Sequence, residues 1–336
     1  MAFVQWPGTV GPSAGTPPRR ARSVRRTTSI DVLRPEGLEG ALVLEGRGRD
    51  LLTTASGHAE VLDRASTTID LTAGDDRRVA GVQLAPPIVD GVRLLGASAS
   101  AGYRRALDGA FPDLTATGSL LALLLDEVPV MALISRSILS RWGAQTVPST
   151  GKRLLAVDVC AGWVAGGTLA IRAENGSFEP SPTPPAPVLD PADDAEGWHQ
   201  LDPLPPTGMR RRRRMDVLAP IAEGEPVIVD AMFRDELTEP GDRRTVLHEY
   251  SLLATVDPAA RVVQSVSVTA HVLPAPECPG ALASAQGVVG RPLGSLRNLV
   301  RGEFRGPSTC THLNDQLRAL GDLDALVDVA LAAPSA

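Results

Sequence analysis

Two parts of this sequence resemble each other on either side of a proline-rich stretch, and this repeat constrains the fold more than any other feature. Matching landmarks occur in the same order in both parts, which indicates an internal duplication. They are Arg25-Arg26 followed by IDVLRP (30–35) against the arginine run 210–214 followed by MDVLAP (215–220), and the segment 103–111 against 296–304, aligned without a gap. We therefore predict two diverged copies of one unit, packed as a pseudo-twofold pair.

Composition sets the expected boundaries of these copies. Residues 1–24 are rich in Pro, Gly and Arg, which predicts a disordered tail. The first copy is then expected at 25–175 and the second at 209–331. Between them, residues 176–208 contain many prolines and read as a linker, in which Trp198 and His199 could dock on a domain.

Each copy is predicted to contain strands followed by helices, which is the order of an α+β fold. Alternating polar and apolar residues predict antiparallel strands at 67–71 and 79–84 in the first copy, and at 250–256 and 262–272 in the second. Residues 154–173 are expected to add one or two strands. The helices that follow share an apolar face, formed by Leu120 and Leu124 in one copy and by Leu313 and Leu317 in the other.

Composition also argues against several classes of function. A formal net charge of -6 and an aromatic content of 3% disfavour a nucleic-acid partner, which needs basic residues and stacking platforms. The most apolar stretches are interrupted by charged residues and prolines, and residues 1–18 have no apolar run, so neither a membrane span nor a secretion signal is expected. We expect a cytoplasmic protein whose partner is a small-molecule substrate.

The second copy has a set of Cys and His residues that the first lacks. In the repeat alignment, the positions equivalent to Cys278, Cys310 and His312 are Ala85, Thr117 and Ser119 in the first copy, and His248 aligns roughly with Ala65. This difference predicts that the second copy carries the chemistry and that the first is degenerate. Drift of small core residues would produce the same pattern.

Cys310 precedes an apolar helical pattern, so we predict that it lies at a helix N-terminus. The positive end of the helix dipole would stabilise a thiolate and lower the pKa of Cys310 below its ordinary value. Alternatively, Cys310 is a small buried core residue.

Two mechanisms could unite these residues. In the first, His248, Cys278, Cys310 and His312 bind a metal, with zinc as the candidate because thiolate and imidazole are its preferred ligands. In the second, Cys310 is a nucleophile and His248 or His312 is its base, oriented by Glu249 or Asp315. The sequence does not choose between them.

The arginine run 210–214 has two interpretations. It could bind a phosphate or a coenzyme-A-like anion. We favour the other interpretation, in which alternate arginines of a strand face solvent or pair with acidic neighbours.

The second copy also resembles the bacterial family catalogued as domain of unknown function 2889. The resemblance covers about residues 209–329, and the first copy only through the internal repeat. Family members typically have His-Asp-Met in place of His248-Glu249-Tyr250, and Gly where Thr309 stands. The resemblance implies no established activity. It rests on the segments 210–216, 229–235 and 248–250, on Cys278-Pro279, and above all on Cys310-Thr311-His312-Leu313.

These features favour an uncharacterised small-molecule enzyme, a hydrolase or lyase in acyl-thioester or aromatic catabolism, with a thiolate or zinc site in the second copy. The competing hypothesis is a non-catalytic binding or interaction protein with a structural Cys/His cluster. An open pocket beside Cys310 would favour the enzyme.

Overall fold

A computed structural model describes residues 5–143, 157–176, 179–190 and 193–333. One sheet dominates it, with eight antiparallel strands in the order β4-β3-β2-β1-β5-β6-β7-β8. The predicted α+β class and antiparallel pairing are therefore confirmed. The strands are β1 (Ser23–Leu33), β2 (Leu42–Thr53), β3 (Ala59–Leu71), β4 (Val79–Ala85), β5 (Met209–Leu218), β6 (Val227–Glu239), β7 (Arg243–Val256) and β8 (Val263–Val272).

The helices formed by the described residues cover one face of this sheet. None of these helices has the length and apolar character that crossing a membrane requires. The α-helices are α1 (Tyr103–Ala110), α2 (Pro112–Ala116), α3 (Leu120–Asp126), α4 (Val128–Ile134), α5 (Thr168–Glu174), α6 (Leu296–Glu303), α7 (Thr311–Leu320) and α8 (Asp324–Ala332), and short 3-10 helices span Val89–Leu94, Ser135–Ile138, Ala161–Trp163, Cys278–Val288 and Leu293–Ser295.

Two hydrophobic cores lie between the sheet and the helices, one mainly from each half of the chain. In the first half, Leu120 and Leu124 of α3 pack against β2 and β3. In the second, Leu313 and Leu317 of α7 are fully buried in the core that also contains Tyr250. The apolar faces predicted from the four-residue spacing are those that the helices bury.

The arginine run lies in β5, at the centre of the sheet, and all five of its side chains are buried. Arg211 and Arg213 point towards the helices and flank the ring of Phe233, at 4.6 and 5.5 Å from its centroid. The favoured interpretation is therefore corrected: the run pairs with acidic residues, as expected, but it has no solvated face. The partners, in order from Arg210 to Arg214, are Asp31, Asp235 with Asp315, Asp190, Glu127, and Asp216 with Asp230.

The other face of the sheet is covered by two segments without regular secondary structure. Residues 5–22, expected to belong to a disordered tail, instead bond to β8 through Val10 N–H to Ala270 O at 3.1 Å. Part of the proline-rich segment lies beside them. There Trp198 stacks on Arg212 at 4.1 Å, and both ring nitrogens of His199 contact hydroxyls of β1.

The prediction of strands at 154–173 is wrong for the residues described there. Residues 154–156 lie outside the described residues, and Ala161–Trp163 and α5 are helical. A short apolar run does not distinguish a strand from a helix. Here Gly166 and Gly167 interrupt the apolar run, and Gly167 is the N-cap of α5.

We predict that Arg213→Ala lowers the free energy of unfolding by about 3–5 kcal/mol, because it leaves the carboxylate of Glu127 buried without its cation. Arg243→Ala is the matched control, since its side chain is 62% exposed in the pair with Glu239, and should cost less than about 1 kcal/mol. Urea denaturation of both variants gives these values. Equal losses would show that the buried pair has no special importance.

Candidate functional site

The candidate site is centred on His248, in the middle of β7. Its Nδ1 donates a hydrogen bond to Asp235 Oδ2 at 3.0 Å. The two residues are direct cross-strand partners on β7 and β6, beside a β-bulge that follows Asp235. The register of the sheet therefore sets the contact, and Asp235, rather than the predicted Glu249 or Asp315, orients this imidazole.

Arg211 fixes the carboxylate of Asp235 from the neighbouring strand. Its Nε and Nη2 donate to the two oxygens at 2.6 and 2.8 Å. Burial alone would raise the pKa of Asp235, but the Arg211 guanidinium outweighs it and holds the pKa well below its ordinary range. Asp235 is thus a permanent anion, and it fixes the His248 proton on Nδ1.

His312, in the first turn of α7, lies against the ring of His248, with the ring centroids 3.8 Å apart and the planes inclined by 34°. Its Nδ1 lies 3.3 Å from Arg211 Nη2, and since a guanidinium only donates, this nitrogen is the acceptor. Burial, together with the neighbouring His248, lowers the pKa of His312 well below its ordinary value. His312 is therefore neutral, with its proton on Nε2.

The two imidazoles thus present opposite groups. When His248 is neutral, its proton is on Nδ1 and its Nε2 offers a lone pair, whereas Nε2 of His312 carries a proton. The two residues are only 5% and 9% exposed. The arrangement can accept a proton at His248 and donate a hydrogen bond from His312.

Cys310 is the N-cap of α7, as predicted, but its environment disfavours a thiolate. Tyr250 Oη donates to its Sγ at 3.4 Å. Burial raises the pKa of Cys310, and the opposing effects of Tyr250 and of the backbone N–H groups of the helix do not overcome it. Burial also raises the pKa of Cys278 and of Cys160. All three are free, buried thiols, and the expected lowering of the pKa of Cys310 is not found.

Glu249 lies on the opposite face of the sheet from His248, because adjacent strand residues point to opposite sides. It pairs with Arg234 Nε at 2.8 Å and accepts a hydrogen bond from the backbone N–H of Ser13 at 2.8 Å. Asp315 is closer to the site and accepts from Arg211 Nη1 at 3.3 Å. The structure thus brings His248 and His312 together and places Glu249 elsewhere.

The structure does not bring together all four predicted metal ligands, His248, Cys278, Cys310 and His312. Potential ligand atoms of Asp235, His248 and His312 lie within 4.8 Å of one another, and among the described residues no cysteine sulfur joins this group. Both oxygens of Asp235 already accept from Arg211, and Nδ1 of His248 is bonded to Asp235. A cation bound to Asp235, His248 and His312 would compete with the Arg211 guanidinium for the carboxylate, and it would lack the two thiolates of the predicted set.

Asp235 and Arg211 were missed as site residues by the sequence reasoning, although both lie in segments that carried the family resemblance. Their role depends on cross-strand register, which no spacing along the chain reveals. The sequence does, however, indicate that Glu249 and His248 lie on opposite faces of the sheet, because successive side chains of a strand alternate between the two faces.

Residues 209–325 match the family model described as "Protein of unknown function (DUF2889)". The resemblance noted in the sequence is therefore confirmed for this part of the chain, which contains the strands and helices that supply Arg211, Asp235, His248 and His312. Searches of the curated proteins and of the solved structures found no significant match.

We predict that Cys310 in the folded protein reacts slowly with iodoacetamide at pH 7, because only the thiolate is nucleophilic and the pKa of this buried thiol is raised. Mass spectrometry of the alkylated peptides should find Cys160, Cys278 and Cys310 similarly protected, and all modified after unfolding in urea. Selective alkylation of Cys310 in the folded state would restore the nucleophile hypothesis.

A second prediction concerns pH. The folded His312 does not take up a proton where the unfolded chain does, so below about pH 6.5 its contribution destabilises the fold by up to about 1.4 kcal/mol per pH unit. His312→Gln should therefore flatten the fall in unfolding free energy between pH 7 and 5. His58→Gln, at an exposed position, is the control and should keep the wild-type slope; an unchanged slope in His312→Gln would contradict the prediction.

Proposed function

We propose that the DUF2889 domain at residues 209–325 is the catalytic part of a small-molecule enzyme, a hydrolase or lyase. In this proposal His248 takes up and returns a proton, and His312 donates a hydrogen bond. The observation that carries the proposal is the contact of two adjacent imidazoles with different partners: Nδ1 of His248 lies 3.0 Å from Asp235, and Nδ1 of His312 lies 3.3 Å from Arg211.

The proposed substrates are acyl thioesters or related aromatic acyl compounds. In hydrolysis, Nε2 of His248 takes a proton from water as the water oxygen bonds to the acyl carbon. The C–S bond then breaks, and the departing thiolate takes that proton from the His248 imidazolium, while the N–H at Nε2 of His312 donates a hydrogen bond to the acyl oxygen. In a lyase reaction, His248 would instead remove a proton from the carbon next to the carbonyl, and the group leaving the adjacent carbon would depart with that proton. General acid–base catalysis of this kind contributes about 10²–10⁴-fold in rate.

The histidine pair is a better basis for this activity than the two mechanisms considered from the sequence. A thiolate mechanism requires a lowered pKa at Cys310, and burial raises it. A zinc mechanism with the predicted ligands requires the sulfurs of Cys278 and Cys310, and no cysteine sulfur joins His248 and His312 among the described residues. Cys278 and Cys310 are then core residues, and no cofactor is needed for the proposed chemistry.

The assignment of chemistry to the second half rests on a further proposal, that the halves are diverged copies about a pseudo-twofold axis. Adding 185 to the residue numbers of the cross-strand pair Arg26 and Asp50 gives Arg211 and Asp235, and both arginines bind their carboxylates through Nε and Nη2. The bulge after Asp50 recurs after Asp235. By this register Asp63, rather than Ala65, corresponds to His248, which supports a degenerate first copy.

The non-catalytic alternative has one observation in its favour. The site is almost fully buried within ion pairs, and the cysteines lie in a closed apolar core with Tyr250. In that case the His–Asp cluster would stabilise the fold, and the protein would bind a partner or metabolite without turning it over.

The test is release of coenzyme A from benzoyl-CoA and acetyl-CoA, followed by chromatography and mass spectrometry. We expect turnover by the wild type, and a decrease in kcat of about 10²–10⁴-fold in His248→Gln and His312→Gln. His58→Gln is the matched control because that histidine is exposed in the first half.

Two results would count against the proposal. Equal rates in the wild type and both site variants would show that the pair is not catalytic. If the folded wild type releases no coenzyme A from either compound, the proposed thioester substrates are wrong and the non-catalytic alternative is favoured. Loss of activity on treatment with a chelator would instead restore the metal hypothesis.

A further inference from the structure

A cavity of about 460 Å³ lies on the face of the sheet opposite the histidine pair, within the size range of small-molecule sites. Residues 13–17 of the N-terminal segment form one wall. The sheet forms the other, through Arg214, Asp230, Met232, Ser251 and His271. Ser251 and His271 are both half-buried, so their side chains line the cavity without being sealed from it.

Within this cavity, Ser251 and His271 have the geometry of a nucleophile and its base. Ser251 Oγ lies 2.9 Å from His271 Nε2. On the other side of the ring, Nδ1 lies 3.0 Å from the carbonyl oxygen of Gly11, with the Ser13 hydroxyl at 3.4 Å. A carbonyl only accepts, so the proton of neutral His271 is on Nδ1. Nε2 is then free to accept the proton of the Ser251 hydroxyl.

A buried carboxylate completes the arrangement. Glu249 Oε1 lies 3.9 Å from His271 Nδ1, and the carboxylate is fully buried and held by Arg234. At this distance Glu249 stabilises an imidazolium by its charge, while Gly11 O provides the orienting hydrogen bond. Glu249, which was expected to orient His248, thus lies beside His271 instead.

Arg214 also lines the cavity. It is 3% exposed, and its Nε is a buried donor that has no hydrogen-bond partner among the described residues, although its Nη atoms bind Asp216 and Asp230. An unpaired buried donor is costly unless a ligand or water satisfies it. Asp216 and Asp230 hold this guanidinium at the cavity wall.

From this geometry we propose a second site in which Ser251 is an acyl-accepting nucleophile for small esters. Oγ bonds to the acyl carbon while its proton passes to His271 Nε2, and the alcohol leaves with that proton. Water then attacks the acyl-serine, giving its proton to His271, and the free acid departs as Ser251 regains a proton. This site is independent of the histidine pair and of its proposed reaction.

The chain contains an internal comparison for this proposal. Ser29 Oγ also lies 2.9 Å from a histidine Nε2, that of His199, but both side chains are less than 9% exposed and neither lines the cavity. Burial, with the surrounding arginines, lowers the pKa of His199 to about 3. The Ser29 contact is therefore structural. Comparing Ser29 with Ser251 shows whether reactivity needs only a Ser–His hydrogen bond or also access to the cavity.

The experiment is reaction of the full chain with a fluorophosphonate probe, in which serine oxygen bonds to phosphorus and fluoride leaves, followed by mass-spectrometric mapping. We expect one adduct, on Ser251, and burst hydrolysis of p-nitrophenyl acetate. Ser251→Ala should lose both, and His271→Gln should slow labelling about 100-fold. Ser29→Ala is the control and should label as the wild type does.

Mapping on the wild type does not depend on any variant being stable. An adduct on another serine, or no adduct on the folded wild type together with no hydrolysis of the ester, would overturn the proposal. Equal labelling of the wild type and His271→Gln would also overturn it, because the base would then have no role.

Discussion

The bidentate contact between Arg211 and Asp235 connects the centre of the sheet to the candidate site. Arg211 belongs to the central strand β5, Asp235 to β6, and the same guanidinium reaches His312 and Asp315 on α7. All of these groups are buried, so each charge is stable only while its partner is present. The position of α7, the charge of Asp235 and the tautomers of both histidines therefore depend on one side chain. A site built in this way is rigid before any ligand arrives.

Four consecutive residues of β7 serve both faces of the sheet. His248 and Tyr250 point towards the helices, where they meet Asp235 and Cys310. Glu249 and Ser251 point the other way, to Arg234 and His271. A strand buried on both sides usually carries apolar residues on both. Here polar groups occur on both faces, and their partners come from a neighbouring strand, the N-terminal segment or the start of α7. The two sites therefore share a backbone but no side chain.

Local patterns in the sequence predicted the α+β class, the antiparallel strands, the buried leucines of α7 and the position of Cys310 at its N-terminus. They could not predict Asp235, because its contact with His248 depends on the register of β6 against β7. The charge state of Cys310 was also out of reach, since a helix dipole is a local effect and burial is a tertiary one. The arginines of β5 looked solvated for a similar reason: Asp31, Glu127 and Asp190, which neutralise three of them, are distant in sequence.

Arginine rather than lysine supplies nearly all the positive charge of the chain; Lys152 is the only lysine. A buried lysine can escape the cost of desolvation by losing its proton, but a guanidinium cannot do so at any pH a cell reaches. The interior of β5 is therefore charged under all such conditions, and its carboxylates must meet their arginines as the chain closes. During synthesis, Asp31 and Glu127 emerge long before residues 210–214, so these two carboxylates must wait for their arginines until the second half of the chain arrives.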